Sequence, residues 1–232
     1  MLYLLPNLLS EDLNWQDFFP NSTLQIVKSI EYLIAESEKS AHRYLRLFLK
    51  REEKKPEIYL LNEHTKENEI FDLVKQIKTK KKGGLISDCG LPCIADPGAK
   101  LVFLLQQSNI KIKALAGPSS IIMALMLSGL SGQNFCFHGY LPRKETFLIE
   151  QLKKLEKDSY KQNKTHIWIE TPYRTKKMLE IMLSTLKGNT LICVAQDLTT
   201  KKEKVMTLSA FKWKNVKEQV QKGPAVFLIQ AK

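Results

Sequence analysis

Leu85-Ile86-Ser87-Asp88-Cys89-Gly90-Leu91-Pro92-Cys93-Ile94-Ala95-Asp96-Pro97-Gly98 is the stretch on which the fold turns. The apolar, strand-like run Gly84–Ser87 ends abruptly in a Ser-Asp-x-Gly-x-Pro turn. A second turn, Asp96-Pro97-Gly98, follows at once, and after it comes the helix-like run Ala99–Gln107. Gly, Pro, Ser and Asp set tight turns for distinct steric and hydrogen-bonding reasons. Two of them at the carboxyl end of a strand make a loop suited to holding a ligand, because open α/β sheets bind ligands in the crevice at that end.

Working outward, strand-like runs recur at Leu2–Leu5, Ile58–Leu61, Ile110–Leu115, Asn134–Tyr140, His166–Glu170, Leu191–Ala195, Val205–Ser209 and Ala225–Gln230. Leu24, Val27, Ile30 and Ile34 fall at helical spacing and predict a helix over 24–39; Ile70, Leu73, Val74 and Ile77 predict another. Strands alternating with helices imply parallel βαβ units. Residues 1–116 are therefore expected to form a doubly wound α/β domain. At Gly117-Pro118-Ser119-Ser120 the chain is punctuated, with Ser119 or Ser120 placed to cap the helix Ile121–Leu127. Residues 117–232 then predict a second, mixed α/β domain, with helices near 145–157, 173–186 and 210–221 and the last three strands close enough for antiparallel pairing.

The 232 residues are 44% hydrophobic, enough for a substantial core and against disorder. Ile121–Leu127, the longest apolar block, is far too short to span a membrane. Met1–Leu9 lacks a positive n-region and runs into Ser10-Glu11-Asp12, so it reads as a first strand rather than a signal peptide. Four unevenly spread cysteines (Cys89, Cys93, Cys136, Cys193) do not make a disulfide framework and imply reduced cytosolic thiols. Cys89 and Cys93 have no second pair or neighbouring histidine to complete a zinc set, so no metal is expected. The net charge of +12 favours polyanionic partners, RNA or DNA first, although only five of the 36 basic residues are arginine and such a lysine bias also follows from genome composition.

There is no Walker-type loop, no Gly-x-Gly-x-x-Gly after the first strand and no Gly-x-Ser-x-Gly elbow, and the histidines are scattered singly. This argues against ATP hydrolysis, ordinary dinucleotide binding and a hydrolytic triad. What remains is four strand-end loops: Ser87–Gly90, Gly117–Ser120, Gly139–Pro142 and Glu170–Arg174. Each alone is compatible with plain turn chemistry; in this order they are more specific. ISDCGLPCIADPG (86–98), LAGPSSIIMALMLSGL (115–130), FCFHGYLP (135–142) and ETPYR (170–174) together resemble the tetrapyrrole methylase superfamily. Within it the chain is most similar to the ribosomal RNA small-subunit methyltransferase I branch, which methylates a cytidine ribose 2′-hydroxyl. The similarity runs from the first strand to Gly223-Pro224-Ala225.

The resemblance implies an S-adenosylmethionine-dependent transferase of two α/β domains with the cofactor in the cleft between them, working as a cytoplasmic homodimer on ribosomal RNA or the small ribosomal subunit, with no membrane partner. Carried over position by position, Asp88, Gly90, Ile94 and Ala95 would line the cofactor from the first domain. Ser119 and Ser120 match the segment between the domains, Tyr140 and Leu141 the adenosyl-contacting strand end, and Pro224 and Ala225 the final loop over the adenine. Glu36, Arg43 and Asn62-Glu63-His64-Thr65 align with a substrate-side region that reads more like His-Glu-His-Asn in the branch. Two segments depart from the pattern: relatives carry a Gly-rich or Pro-Ile-Gly-Asn-type loop where this chain has Pro6-Asn7-Leu8-Leu9-Ser10-Glu11-Asp12, and a Glu-Asp-Thr-Arg-like segment where it has Glu36-Ser37-Glu38-Lys39. Both fall on the substrate side.

Methyl transfer from a sulfonium is an in-line displacement, so an enzyme must chiefly align the nucleophile and exclude water. A ribose hydroxyl benefits from a base, for which Glu36 and His64 are the candidates; the competing expectations are a surface glutamate on a helix and a histidine in a polar loop. Arg43, Arg46, Arg51, Arg143 and Arg174 are the bidentate-capable phosphate contacts, with Glu63 beside them as a substrate-side residue. Trp15, Trp168 and Trp213 could stack on bases, although the alternating run around Trp168 favours a core role. Two rival expectations stand beside ribose methylation: carbon methylation of a tetrapyrrole, also an acidic substrate, and a non-catalytic RNA-binding relative of the same fold.

Overall fold

Tyr32-Leu33-Ile34-Ala35 is a buried strand, not the end of a helix, and it reorganises the first half of the chain. The computed structural model describes residues 1–11 and 13–232; Asp12, the last residue of the first-loop stretch, lies outside the described residues. The expected helix over 24–39 is instead helix α1 (Asn21–Ser29), strand β2 (Tyr32–Ala35) and the start of helix α2 (Glu38–Phe48). The helical spacing of Val27, Ile30 and Ile34 was fortuitous: Val27 is on α1, Ile30 lies in the connection, and Ile34 is on the strand. All four residues of β2 are buried, so it reads as a continuous apolar run without the alternation of a half-exposed strand. Ser37 then opens α2, its hydroxyl accepting from the Ser40 amide at 3.1 Å.

With β1 (Leu2–Leu4), β3 (Glu57–Leu60), β4 (Gly83–Leu85) and β5 (Ile112–Ala114), β2 makes an all-parallel sheet of order β3-β2-β4-β1-β5. Helices α3 (Glu67–Lys78) and α4 (Gly98–Gln107) complete the crossovers. The chain leaves β1 and β2 towards the β3 edge and leaves β3 and β4 towards the β5 edge. Parallel crossovers share one hand, so opposite directions place helices on opposite faces. The cores agree. Leu33, Ala35 and Ile86 pack with Val27, Tyr44 and Phe48 of α1 and α2, whereas Tyr32, Ile34 and Leu85 pack with Leu73, Ile77, Leu101 and Leu105 of α3 and α4.

Contacts divide the chain into two compact units, Met1–Ser119 and Ser120–Lys232, three residues beyond the 116/117 boundary expected. The second unit holds helix α5 (Ser120–Ser128), β6 (Phe135–Phe137), α6 (Glu145–Gln162), β7 (Thr165–Glu170), α7 (Thr175–Thr185), β8 (Leu191–Gln196), β9 (Lys204–Ser209), α8 (Ala210–Trp213) and β10 (Ala225–Gln230). Its sheet has the order β6-β7-β10-β8-β9, with β6 parallel to β7 and every other pairing antiparallel. One core is built on Trp168, stacked on Phe227 with ring centroids 6.0 Å apart, and on Trp213, whose indole N–H donates to the Ile192 carbonyl at 2.8 Å. Both indoles are core, and Trp15 packs on Phe48. Among the described residues no helix is long and apolar enough to cross a membrane.

Candidate functional site

In the first unit, β2 and β4 are neighbours whose exits run in opposite directions, which leaves a gap between their following loops. Such a switch point is where open α/β sheets place ligands. Glu36 directly follows β2, and the Ser87–Gly98 loop follows β4. They meet: Glu36 Oε1 accepts from the Asp88 amide at 3.1 Å. Burial raises the Glu36 pKa above the ordinary carboxylate value, reinforced by Asp88, Asp96 and Glu63 and opposed by the Asp88 amide. A half-buried carboxyl among acids, at a switch point, has the properties of a proton acceptor.

The loop is held at both ends. Asn7, buried just after β1, donates from Nδ2 to the Ser87 and Asp88 carbonyls at 2.9 and 3.1 Å. The Asn7 amide donates to the Gly90 carbonyl at 2.7 Å. Further along, the Asp96 carboxylate accepts from the amides of Cys93 at 2.6 Å and Gly98 at 2.7 Å, bridging the second turn to the start of α4. Between them Gly90, Cys93 and Ala95 all have positive φ, the last two an unusual conformation for residues with a side chain. Burial pushes the Cys93 thiol up to about 12 and raises that of Cys89, so neither is a thiolate nucleophile at neutral pH.

The end of β5 completes the cluster. A Cβ on Gly117 would lie 2.1 Å from Pro6 Cβ, so glycine is required for this segment to pass the first loop. The Pro118 carbonyl lies 3.6 Å from where a Gly90 Cβ would stand. Asp88 is thus exposed, Gly90 buried, and Ile94 and Ala95 exposed on the same loop. Ser119 closes this unit and Ser120 opens α5 in the next.

Other expected residues divide. Arg43, on α2, pairs with Glu11 and donates to the Asp88 carbonyl at 3.3 Å. It lines a cavity of about 180 Å³ with Asn7, Leu8, Leu9, Ser10, Leu47 and Cys89. Asn62 ties the 62–65 turn to Glu36, donating to the Glu36 carbonyl at 3.4 Å. His64 and Glu63 at the tip of that turn have side chains 85% exposed, 3.6 Å from one another. The structure therefore sets Glu36 in the loop cluster and leaves His64 in solvent.

In the second unit β6 runs on beside β7 past its last regular residue, with the Ile169 amide donating to Gly139 at 2.9 Å. Gly139 turns at φ +66, delivering exposed Tyr140 and buried Leu141 next to the end of β7. There Ala225 is in register with both Glu170 and Gln196, which puts Pro224 and Ala225 at the same end of the sheet. Thr175 Oγ1 sits 2.6 Å from the Gly223 carbonyl and the Gln196 amide side chain holds Gln221 at 2.9 Å, so the 221–224 turn is fixed from two sides. Arg174 is used internally: it donates to the Pro142 carbonyl at 3.0 Å and lies 3.3 Å from Glu170 Oε2.

The family described as Tetrapyrrole (Corrin/Porphyrin) Methylases matches residues 22–212, most of the chain. The chain belongs to the tetrapyrrole methylases. Among relatives within reach by sequence is ribosomal RNA small subunit methyltransferase I of Buchnera aphidicola subsp. Schizaphis graminum, 32% identical over 173 residues, 73% of this chain and 59% of the relative. The protein of the same name from Vibrio cholerae is 31% identical, over 74% of this chain and 59% of the relative. That from Bacillus subtilis is 29% identical, over 88% and 65%. The match therefore spans about three-fifths of the first relatives' length. Among solved structures, the methyltransferase CobJ superposes with a TM-score of 0.63 at 14% identity, covering 99% of this chain and 92% of that one. Uroporphyrin-III-C-methyltransferase from Thermus thermophilus gives 0.56 at 14%, covering 99% and 91%. At that identity the likeness is one of fold, and it agrees with the two α/β units of a tetrapyrrole methylase.

Asn7 and Asp96 are the site residues that sequence reasoning missed, whereas Asn62 lay in the 62–65 stretch already set on the substrate side. Each is an Asn or Asp at a strand end or in a turn, where its side chain substitutes for backbone partners.

Proposed function

We propose that this tetrapyrrole methylase is an S-adenosylmethionine-dependent methyltransferase that methylates a ribose 2′-hydroxyl in small-subunit ribosomal RNA, in the cytoplasm and as a homodimer. The observation that carries it is the 32% identity to a ribosomal RNA small subunit methyltransferase I over 73% of this chain. The solved tetrapyrrole enzymes share only the fold, so carbon methylation of a tetrapyrrole is the weaker alternative.

Exposed groups on a strand-end loop support this reading: the Ser87–Gly98 loop offers a carboxylate at Asp88 and an apolar side chain at Ile94. Asp88, Gly90, Ile94, Ala95 and Ser119 are the proposed contacts in the first unit, and Ser120, Tyr140, Leu141, Pro224 and Ala225 those in the second. When bound, the sulfonium supplies an electrophilic methyl group. Glu36 is assigned to take the proton from the ribose hydroxyl; its burial and acidic neighbours raise its basicity above that of a free carboxylate. Arg43, steered by Glu11 and the Asp88 carbonyl, is assigned to position a phosphate beside that carboxylate.

The test is ribose-methylation mapping of small-subunit RNA from a strain lacking the gene, then from one expressing Glu36→Gln. Loss of one 2′-O-methyl group in both supports the assignment. An unchanged pattern on deletion overturns the ribosomal substrate, and full methylation by Glu36→Gln overturns the base.

A further inference from the structure

Cys136, His138 and His166 are 28 or more residues apart in part, yet β6 and β7 bring them to one face of one sheet edge. Cys136 is the register partner of His166, and His138 lies two residues further along on the same side. One ligand atom from each lies within 4.8 Å of the others. The imidazoles face each other directly, with His138 Nε2 2.8 Å from His166 Nδ1. On its far side His166 Nε2, fully buried and without an aligned hydrogen-bond partner, lies 3.2 Å from Asp158 Oδ2, which is itself paired with Lys164 at 2.9 Å.

We propose that Cys136, His138 and His166 form a zinc site that clamps the end of β6 to β7, with a fourth position open to water. The donor set is right for the ion: two imidazoles and a thiolate suit zinc, whereas magnesium and calcium require oxygen ligands. The spacing is near what is needed. Tetrahedral zinc with Zn–N bonds of about 2.0–2.1 Å separates two imidazole nitrogens by about 3.3 Å, so the rings part by about half an ångström and the thiol swings inward. Asp158 stands where a carboxylate orients a zinc-bound histidine through its other nitrogen, and an ion on Nδ1 would polarise the orphaned Nε2 proton towards it. Binding balances simply: the Cys136 thiol releases its proton to solvent, His138 moves its proton from Nε2 to Nδ1, and the ion takes the freed lone pairs. β6 has only three ladder residues and one neighbour, so a metal clamp would fasten the edge strand that leads into Gly139 and Tyr140.

The experiment is titration of the purified full chain with zinc and with cobalt, read by bound metal per chain, cobalt absorption and thermal unfolding. The expected result is one ion per chain, a thiolate-to-cobalt charge-transfer band with tetrahedral d–d absorption, and a Tm raised by about 5–10 °C at a hundredfold excess over Kd. Cys136→Ser and His138→Ala should each abolish the stoichiometric ion and the Tm rise. Asp158→Asn should weaken affinity about 10–100-fold. The double variant Cys89→Ser, Cys93→Ser should bind as the parent does. No bound ion, a cobalt spectrum without the thiolate band, binding that survives Cys136→Ser and His138→Ala, or binding lost with Cys89 and Cys93 would each overturn the site; the cobalt spectrum of the parent decides even if a variant fails to fold.

Discussion

Glu36 and Asp88 join two strand ends from which the chain departs in opposite directions: the Glu36 carboxylate accepts the Asp88 amide at 3.1 Å across the gap between β2 and β4. The bond links the loop entering α2 on one face of the sheet to the loop entering α4 on the other, and it makes Glu36 both a structural acceptor and the proposed base.

Those two roles separate by pH. The folded pKa of Glu36 is raised above the ordinary 4.5, first by burial. Its protonated form is therefore favoured by folding, and that contribution is complete below 4.5 and lost as pH rises through the higher folded value. Glu36→Gln keeps an oxygen for the Asp88 amide and removes the charge. Thermal unfolding followed across the acid range should show Glu36→Gln equal to the parent at low pH and equal or more stable at neutral pH; a variant clearly less stable at neutral pH would contradict the cause given for the shift.

Asn7→Ala removes the donor to two loop carbonyls and the acceptor for the Leu8 amide in a buried setting. Lost hydrogen bonds there cost about 2–3 kcal/mol together. Denaturant unfolding should show that loss, and calorimetric titration with S-adenosylmethionine should show weaker binding because Asp88 and Gly90 lose their anchor. Unchanged stability would mean the loop holds itself.

Gly117 and Gly90 make a controlled pair. A Cβ on Gly117 would lie 2.1 Å from Pro6, whereas one on Gly90 would meet Leu9 at an ordinary 3.4 Å but at φ +73. Overpacking costs about 1–3 kcal/mol or more and the left-handed backbone about 1–2 kcal/mol. Gly117→Ala should be the more destabilising by denaturant midpoint; the reverse order would show that Pro6 yields easily.

Thr175→Val preserves shape and deletes the hydroxyl 2.6 Å from the Gly223 carbonyl. Stability should fall by about 0.5–1.5 kcal/mol, the net worth of a hydrogen bond to a part-buried carbonyl. Affinity for S-adenosylmethionine should fall as the 221–224 turn loosens; unaltered affinity would remove that turn from the proposed cofactor contacts.

The parallel sheet of the first unit was legible because β1, β4 and β5 are apolar runs separated by helical ones, and the antiparallel pairing of β8, β9 and β10 followed from their nearness in sequence. β2 was hidden because a strand buried on both faces has no period of its own, so the periodicity of α1 ran through it. That error placed Glu36 on a helix surface, when it stands at a strand end. The His138–His166 pair escaped for a related reason: the two are neighbours only through the parallel pairing of β6 with β7, and linear spacing does not record which strands pair. Arg174, chosen for its charge, is spent on Pro142 and Glu170.

The Ser87–Gly98 loop has two mechanical halves. From Cys93 to Gly98 its shape is closed by the single carboxylate of Asp96, within six consecutive residues. From Ser87 to Gly90 its shape is borrowed from Asn7 and Glu36, with Arg43 also leaning on the Asp88 carbonyl. Drift in the first loop or at the start of α2 is consequently felt by Asp88 and Gly90 while Ile94 and Ala95 stay where they are. One half is a fixed jaw, and the other moves with Asn7 and Glu36, the two side chains that hold it.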